Sequence, residues 1–97
     1  MKFEFKKTFV GDYNAIIESL SESPLKKFSA KLSSKIKQII TFPESCPRLK
    51  EPHYFESGIR WVPILEKYIL IYLFEKEKIS FLRLLPAKSN WIHHLFK

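Results

Sequence analysis

The sequence has little of what flexible, crosslinked or membrane-spanning chains are built from. It holds two glycines in 97 residues beside an apolar fraction of 45%, which argues against disorder and low complexity. A single cysteine, Cys46, excludes an internal disulfide and fits a reducing cytoplasm. One Cys and three His stand in no metal-ligand spacing, so no structural zinc and no cofactor are expected. No apolar run approaches the roughly 18 residues that a membrane span needs, and no membrane partner is expected. The start, Met1-Lys2-Phe3-Glu4-Phe5-Lys6-Lys7, alternates charge with phenylalanine and lacks the apolar stretch of a secretory signal. Acids are the scarce charge: ten Asp and Glu against 17 Lys and Arg, a formal net charge of +7. That balance favours a polyanionic partner, namely nucleic acid, an enzyme acting on it, or an acidic protein segment. A basic surface that only confers solubility is the plain alternative.

What is present in quantity is aromatic and β-branched residues, concentrated in the second half. Residues 58–64, 67–74 and 78–85 form three runs, each about as long as an ordinary strand. The breaks Leu65-Glu66 and Glu75-Lys76-Glu77 are too short for a parallel crossover, which needs about a dozen residues, so the runs read as an antiparallel meander. Tyr68 to Phe74 has no polar atom except its tyrosine hydroxyls and is expected to be covered on both faces. Alternation sets Trp61, Pro63 and Ile59 opposite Arg60 and Val62. Pro63 lacks a ladder N–H and marks an edge, a bulge or an unpaired stretch. Arg83 is the one charge inside the last run, and it is expected on the face away from the helices, near Arg60.

The first half reads as a short strand and two helices. Phe3 and Phe5 alternate with charged residues, as in a half-buried strand. Phe9, Val10, Tyr13, Ile16, Ile17 and Leu20 recur at helical steps. Ser23 as N-cap with Pro24 at the first helical position starts a second helix. Its stripe of Leu25, Phe28, Leu32, Ile36, Ile39 and Ile40 runs to about Phe42, where Pro43 ends it. Lys26, Lys27, Lys31, Lys35 and Lys37 occupy its other faces, as a solvated face or as a surface that tracks phosphates. Pro43 to Ser57 reads as an irregular connection. In the tail, Trp91 with Leu95 and Ile92 with Phe96 are spaced by four, as in a helical turn capped by Ser89 or Asn90. The expectation is one α+β domain over residues 1–97, in the order β-α-α-β-β-β. It has an N-terminal short strand, an antiparallel helical hairpin packed on an antiparallel sheet, and a short C-terminal helical tail.

That order, with these residues, resembles the RelE/ParE superfamily of toxins from type II toxin–antitoxin modules, over roughly Tyr13 to Phe96. The resemblance is carried by Phe42-Pro43-Glu44, Gly58-Ile59-Arg60-Trp61-Val62-Pro63, Tyr68-Ile69-Leu70-Ile71-Tyr72 and Leu82-Arg83-Leu84-Leu85. It implies a toxin neutralised by a cognate antitoxin with an acidic, partly disordered segment. RelE-like members cut mRNA on the ribosome and usually carry an arginine before the aliphatic pair and tyrosine of their third strand. Ile69 stands at that place here, ahead of Tyr72. The pattern is similar to the ParE-like form, whose arginines match Arg60 and Arg83. Such toxins act on DNA gyrase and lead to trapped DNA breaks. Pro86, Trp91, His93 and His94 depart from the small and basic residues common in that tail.

The resemblance makes Arg60, Arg83, Lys88 and Trp91 candidates for contact with the target or with an antitoxin carboxylate. Ordinary sheet arginines, tied to Glu66 or Glu75, and a core-anchoring Trp91 are the structural alternatives. A ribosome-dependent mRNA endoribonuclease on the same fold is the second functional reading, with Arg60, Arg83, Lys50 and His93 as its candidate catalytic set. Arg48, Lys50 and His53 are a further place with charge for a phosphorane. Adjacent His93 and His94 point in different directions on a helical turn, and Cys46 has no histidine nearby in sequence to activate it. An inactive homologue that still binds antitoxin is the third reading.

Overall fold

In a computed structural model describing residues 2–49 and 58–89, six elements follow the expected order: β1 (Lys2–Phe5), α1 (Lys7–Ser19), α2 (Glu22–Thr41), β2 (Ile59–Ile64), β3 (Tyr68–Glu75) and β4 (Lys78–Pro86). The sheet order is β1-β4-β3-β2. β2, β3 and β4 form the antiparallel meander, while β1 joins β4 in parallel, Lys2 opposite Lys78 and Phe5 opposite Phe81. The sheet is therefore mixed. A parallel partner is open to β1 because the whole helical pair intervenes before β4. The tail from residue 90 and the connection 50–57 lie outside the described residues.

Helix boundaries differ from expectation at one end. α2 begins at Glu22, with Ser21 as its N-cap residue, two residues earlier than Ser23 and Pro24 suggest. Pro24 is tolerated in the third helical position because first-turn N–H groups have no partner four residues back. The other end falls where Pro43 requires, with the Phe42 N–H closing on the Gln38 carbonyl. No helix among the described residues is long and apolar enough to cross a membrane.

Both faces of the sheet are apolar. On the helix side, Phe28, Leu32 and Ile39 of α2 and Phe9 and Ile16 of α1 close over Ile64, Leu70, Tyr72, Ile79, Phe81 and Leu84. Rings link the layers: Phe5 stacks on Phe81 with centroids 4.9 Å apart, and Phe28 meets Tyr68 edge-on at 5.1 Å. Such pairs add about 0.5–1.5 kcal/mol each beyond the area they bury. On the other side Ile69, Ile71 and Leu85 are buried with Ile59, Trp61 and Leu82 packed against them. The expected double coverage of the middle strand is thus present, as is the alternation of Trp61 against Arg60.

The described part of the segment after α2, residues 43–49, is tied to the sheet by backbone hydrogen bonds. Arg48 forms an antiparallel bridge with Arg60, the Leu49 N–H donates to the Ile59 carbonyl and the Trp61 N–H to Pro47. These three residues screen the outer edge of β2, the edge that Pro63 could not fully use.

The hairpin turns are built without glycine. Lys76 (φ 52°) and Glu77 (φ 62°) both adopt left-handed backbone in the two-residue β3–β4 turn, and Leu65 and Glu66 do so between β2 and β3. This is the type I′ geometry that suits the strand twist, normally taken by Asn-Gly. Gly58, at φ 80°, is the reverse case: a Cβ there would lie 2.5 Å from the Phe74 carbonyl oxygen, which is why a glycine opens β2. Glu77→Gly should raise unfolding stability by about 1 kcal/mol, and Gly58→Ala should lower it by about 2 kcal/mol or more. Urea midpoints at constant slope read both, and the opposite signs are the test.

Candidate functional site

Three of the four sequence blocks meet in one buried cluster. Arg60 points to the helix side of β2 and is 8% exposed. Its Nη1 donates to the Cys46 carbonyl at 2.7 Å and the Glu44 carbonyl at 3.3 Å. Its Nε is buried without a hydrogen-bond partner, and among the described residues no carboxylate pairs with it. Beside it, the fully buried Tyr72 donates from its hydroxyl to the Pro43 carbonyl at 2.7 Å. Burial pushes the phenol pKa well above its ordinary value of 10.0. Arg60 and Tyr72 thus satisfy the carbonyls that follow α2, groups which a proline-rich turn leaves without ladder partners. Taking a guanidinium out of water costs several kcal/mol, so this is a fastening of the loop to the sheet and not an exposed patch. Cys46, itself buried, is part of that loop.

Arg83 is fastened elsewhere. Its register partner is Ile71, whereas Arg60 faces Tyr72. Consecutive residues of β3 point to opposite faces, so the two arginines start on opposite sides of the sheet. Arg83 then reaches α1, donating from Nε to Asp12 Oδ2 at 2.7 Å and from Nη2 to Oδ1 at 3.1 Å. The expected neighbourhood of Arg60 and Arg83 is therefore not formed, and neither Glu66 nor Glu75 is the partner. The hydrogen bond with Asp12 raises the Arg83 pKa, keeping the guanidinium charged. Bidentate pairing fixes its plane and leaves Nη1 without a partner among the described residues.

Asp12 escaped the sequence reading. Its carboxylate also accepts the Leu84 N–H at 3.0 Å, and Thr8, one turn earlier on α1, donates to the Leu82 carbonyl. β1 pairs with β4 only as far as Phe81, and these two side chains take over the edge beyond. An acid flanking the inward positions Phe9 and Ile16 was the available signal, but its partner lies 71 residues away.

Two concavities flank α1. One is a cleft of about 570 Å³ whose lining includes Asp12, Ser19, Glu66, Lys67, Tyr68 and Lys88. Lys88 is thus brought to the same place as the acid that holds Arg83. The other is an apolar groove of about 550 Å³ between β1, α1 and α2, lined by Phe3, Phe5, Val10, Tyr13, Leu32 and Ile36 among others, with Lys37 at its margin. Phe3 (47%), Phe5 (42%) and Val10 (44%) are unusually exposed for large apolar side chains, because the helices meet through the Tyr13 and Phe28 rings and do not close over β1. Trp91, Lys50, His53, His93 and His94 lie outside the described residues. Ile69 is buried in the apolar cluster with Leu85. Among the described residues no group of three or more His, Cys, Asp or Glu side chains could hold a metal ion.

Tyr72→Phe should cost about 1–3 kcal/mol at neutral pH, since it strands the buried Pro43 carbonyl. The deficit should shrink above about pH 10. There the unfolded wild type loses the phenolic proton that the native state retains, so wild-type stability falls by about 1.4 kcal/mol per pH unit from this group. Denaturation of both proteins at pH 8 and pH 11 measures this. A gap that widens with pH would contradict the assigned burial.

Residues 3–91 match the family model described as ParE toxin of type II toxin-antitoxin system, parDE. No curated protein matches the chain.

Proposed function

The chain belongs to the ParE toxin family of type II toxin–antitoxin systems, and from that premise we propose that it inhibits DNA gyrase and is neutralised by a cognate antitoxin. The observation that carries the choice of target is the separation of the two arginines. An endoribonuclease using Arg60 needs that guanidinium at a scissile phosphate, yet it is buried against the Glu44 and Cys46 carbonyls. The Tyr72 hydroxyl is likewise committed to Pro43. Lys88 lines the accessible cleft beside α1, and Arg83 is held at its side by Asp12, which lines the same cleft. There a fixed, partly exposed guanidinium and a mobile ammonium suit carboxylates of a protein target. Trp91 joins them as a proposed contact.

Neutralisation falls to the apolar groove. An acidic, partly disordered antitoxin segment can fold into it, covering Phe3, Phe5 and Val10 while a carboxylate meets Lys37 at its margin. The groove and the cleft lie on opposite flanks of α1, so a segment seated in one is close to the other.

Supercoiled plasmid, ATP, gyrase and increasing toxin, treated with detergent and protease, should yield linear DNA. Arg83→Ala should need about tenfold more toxin for the same product, the loss of roughly one charge-assisted pair. Lys88→Ala should weaken the effect in the same direction. Toxin that arrests growth without linear product or altered supercoiling would shift the reading to mRNA on the ribosome. Separately, Val10→Glu places a better helix former at an exposed site and should weaken antitoxin binding about tenfold or more in titration calorimetry. Unchanged affinity would remove the antitoxin from the groove.

A further inference from the structure

α2 carries five lysines against one acid, Glu22, and so holds +4 of the chain's formal +7. Its buried side is set by Phe28, Leu32 and Ile39. The flank of that side turned away from the apolar groove presents Lys27, Lys31 and Lys35 at successive four-residue steps, Lys35 falling seven residues after the buried Phe28, with Ala30, Ser34 and Gln38 in the adjoining row. Lys26 and Lys37 stand farther round the helix, Lys37 on the lining of the apolar groove. All are exposed except Lys35, which is half-buried. Little inside the molecule offsets these charges. Lys26 approaches Glu22 at 3.7 Å and Lys35 donates to Gln38 at 3.4 Å. Among the described residues no carboxylate lies within ion-pair distance of Lys27, Lys31, Lys35 or Lys37. Like charges four apart on a helix are mildly destabilising, so the row weakens the helix that carries it and returns nothing to the isolated fold.

We propose that this outer face of α2 binds the phosphate backbone of double-stranded DNA without reading its sequence. Lys27 to Lys35 span about 12 Å along the helix axis, a rank of point charges inclined to that axis and able to follow one strand. The residues between them are small or hydrogen-bonding, the kinds that approach and donate to phosphate oxygens. No aromatic side chain stands between Lys27 and Gln38 on that side. A single strand is held largely by stacking its bases on aromatic rings, and this face has none to offer. The lysine row is also distinct from the apolar groove, where an acidic antitoxin segment finds buried contact as well as charge. The inference is independent of gyrase as target, because it concerns DNA free of any enzyme.

Fluorescence anisotropy of a labelled duplex of arbitrary sequence, about 25 base pairs long, between 50 and 200 mM NaCl, tests it. The wild type should bind, with affinity falling steeply as salt rises. The Lys27→Gln, Lys31→Gln, Lys35→Gln triple variant should bind about tenfold or more weakly at the lowest salt, and its logarithmic salt slope should be shallower by about 2.7. Glutamine keeps helix propensity and length, and circular dichroism checks the fold. A control triple of equal charge, Lys2→Gln, Lys7→Gln, Lys76→Gln, should retain most of the wild-type slope. Four outcomes overturn the proposal: no duplex binding by the wild type at the lowest salt, an unchanged slope in the α2 variant, an equal loss in the control, or tighter binding to a single strand or to poly-glutamate than to the duplex.

Discussion

The outer edge of β4 is the constraint from which the arrangement follows. β4 has nine residues and β1 four, so a single short strand cannot satisfy the edge backbone groups of its longer neighbour. An open edge in a sheet this apolar invites pairing with another chain. The gap is closed by α1, whose Thr8 and Asp12 stand one turn apart and bond to Leu82 and Leu84. That contact places α1 against β4, with Phe9 on Phe81. α2 packs separately, through Phe28 on Tyr68. The opening between the helices is the consequence, and its floor is β1.

The two family arginines then divide into different kinds of residue. Arg60 is spent inside the molecule, holding the turn after α2 to the sheet together with Tyr72. Arg83 is held from one side by Asp12 and keeps part of its guanidinium available. Mutating either is expected to weaken function, but for unlike reasons. Loss of Arg60 frees the Pro43–Cys46 turn and costs stability; loss of Arg83 removes a charge from the accessible edge while also leaving Asp12 with the Leu84 N–H. A stability measurement beside each activity measurement is what separates the two.

The fold was legible to the extent that it is local. Among the described residues, periodicity and β-branched or aromatic content placed every strand and helix, and Pro43 fixed the end of α2. Pro24 misled by two residues because proline is acceptable anywhere in a first helical turn. The parallel docking of β1 was not readable, since a four-residue strand carries no mark of its partner. Nor was the fate of Arg83, because an ion pair spanning 71 positions leaves no periodic trace. The burial of Arg60 was not readable for another reason. Sequence shows which side chains are charged, but the backbone carbonyls able to receive a buried guanidinium appear only once the loop is folded.

Three surfaces of different chemistry surround the helical layer: an apolar groove, a cleft of mixed charge, and a row of lysines. Their separation bears on how one small toxin can be both harmful and restrained. A partner that seats an apolar segment in the groove need not neutralise the outer face of α2, since the two open on different sides of that helix. Electrostatic attraction to that face extends over about a Debye length, roughly 10 Å at moderate salt, while the groove acts only at contact. On the proposed roles, the lysines would govern where the protein accumulates, and the groove and cleft what it holds there. On that proposal, the benefit that offsets the mild repulsion within the row lies outside the isolated fold.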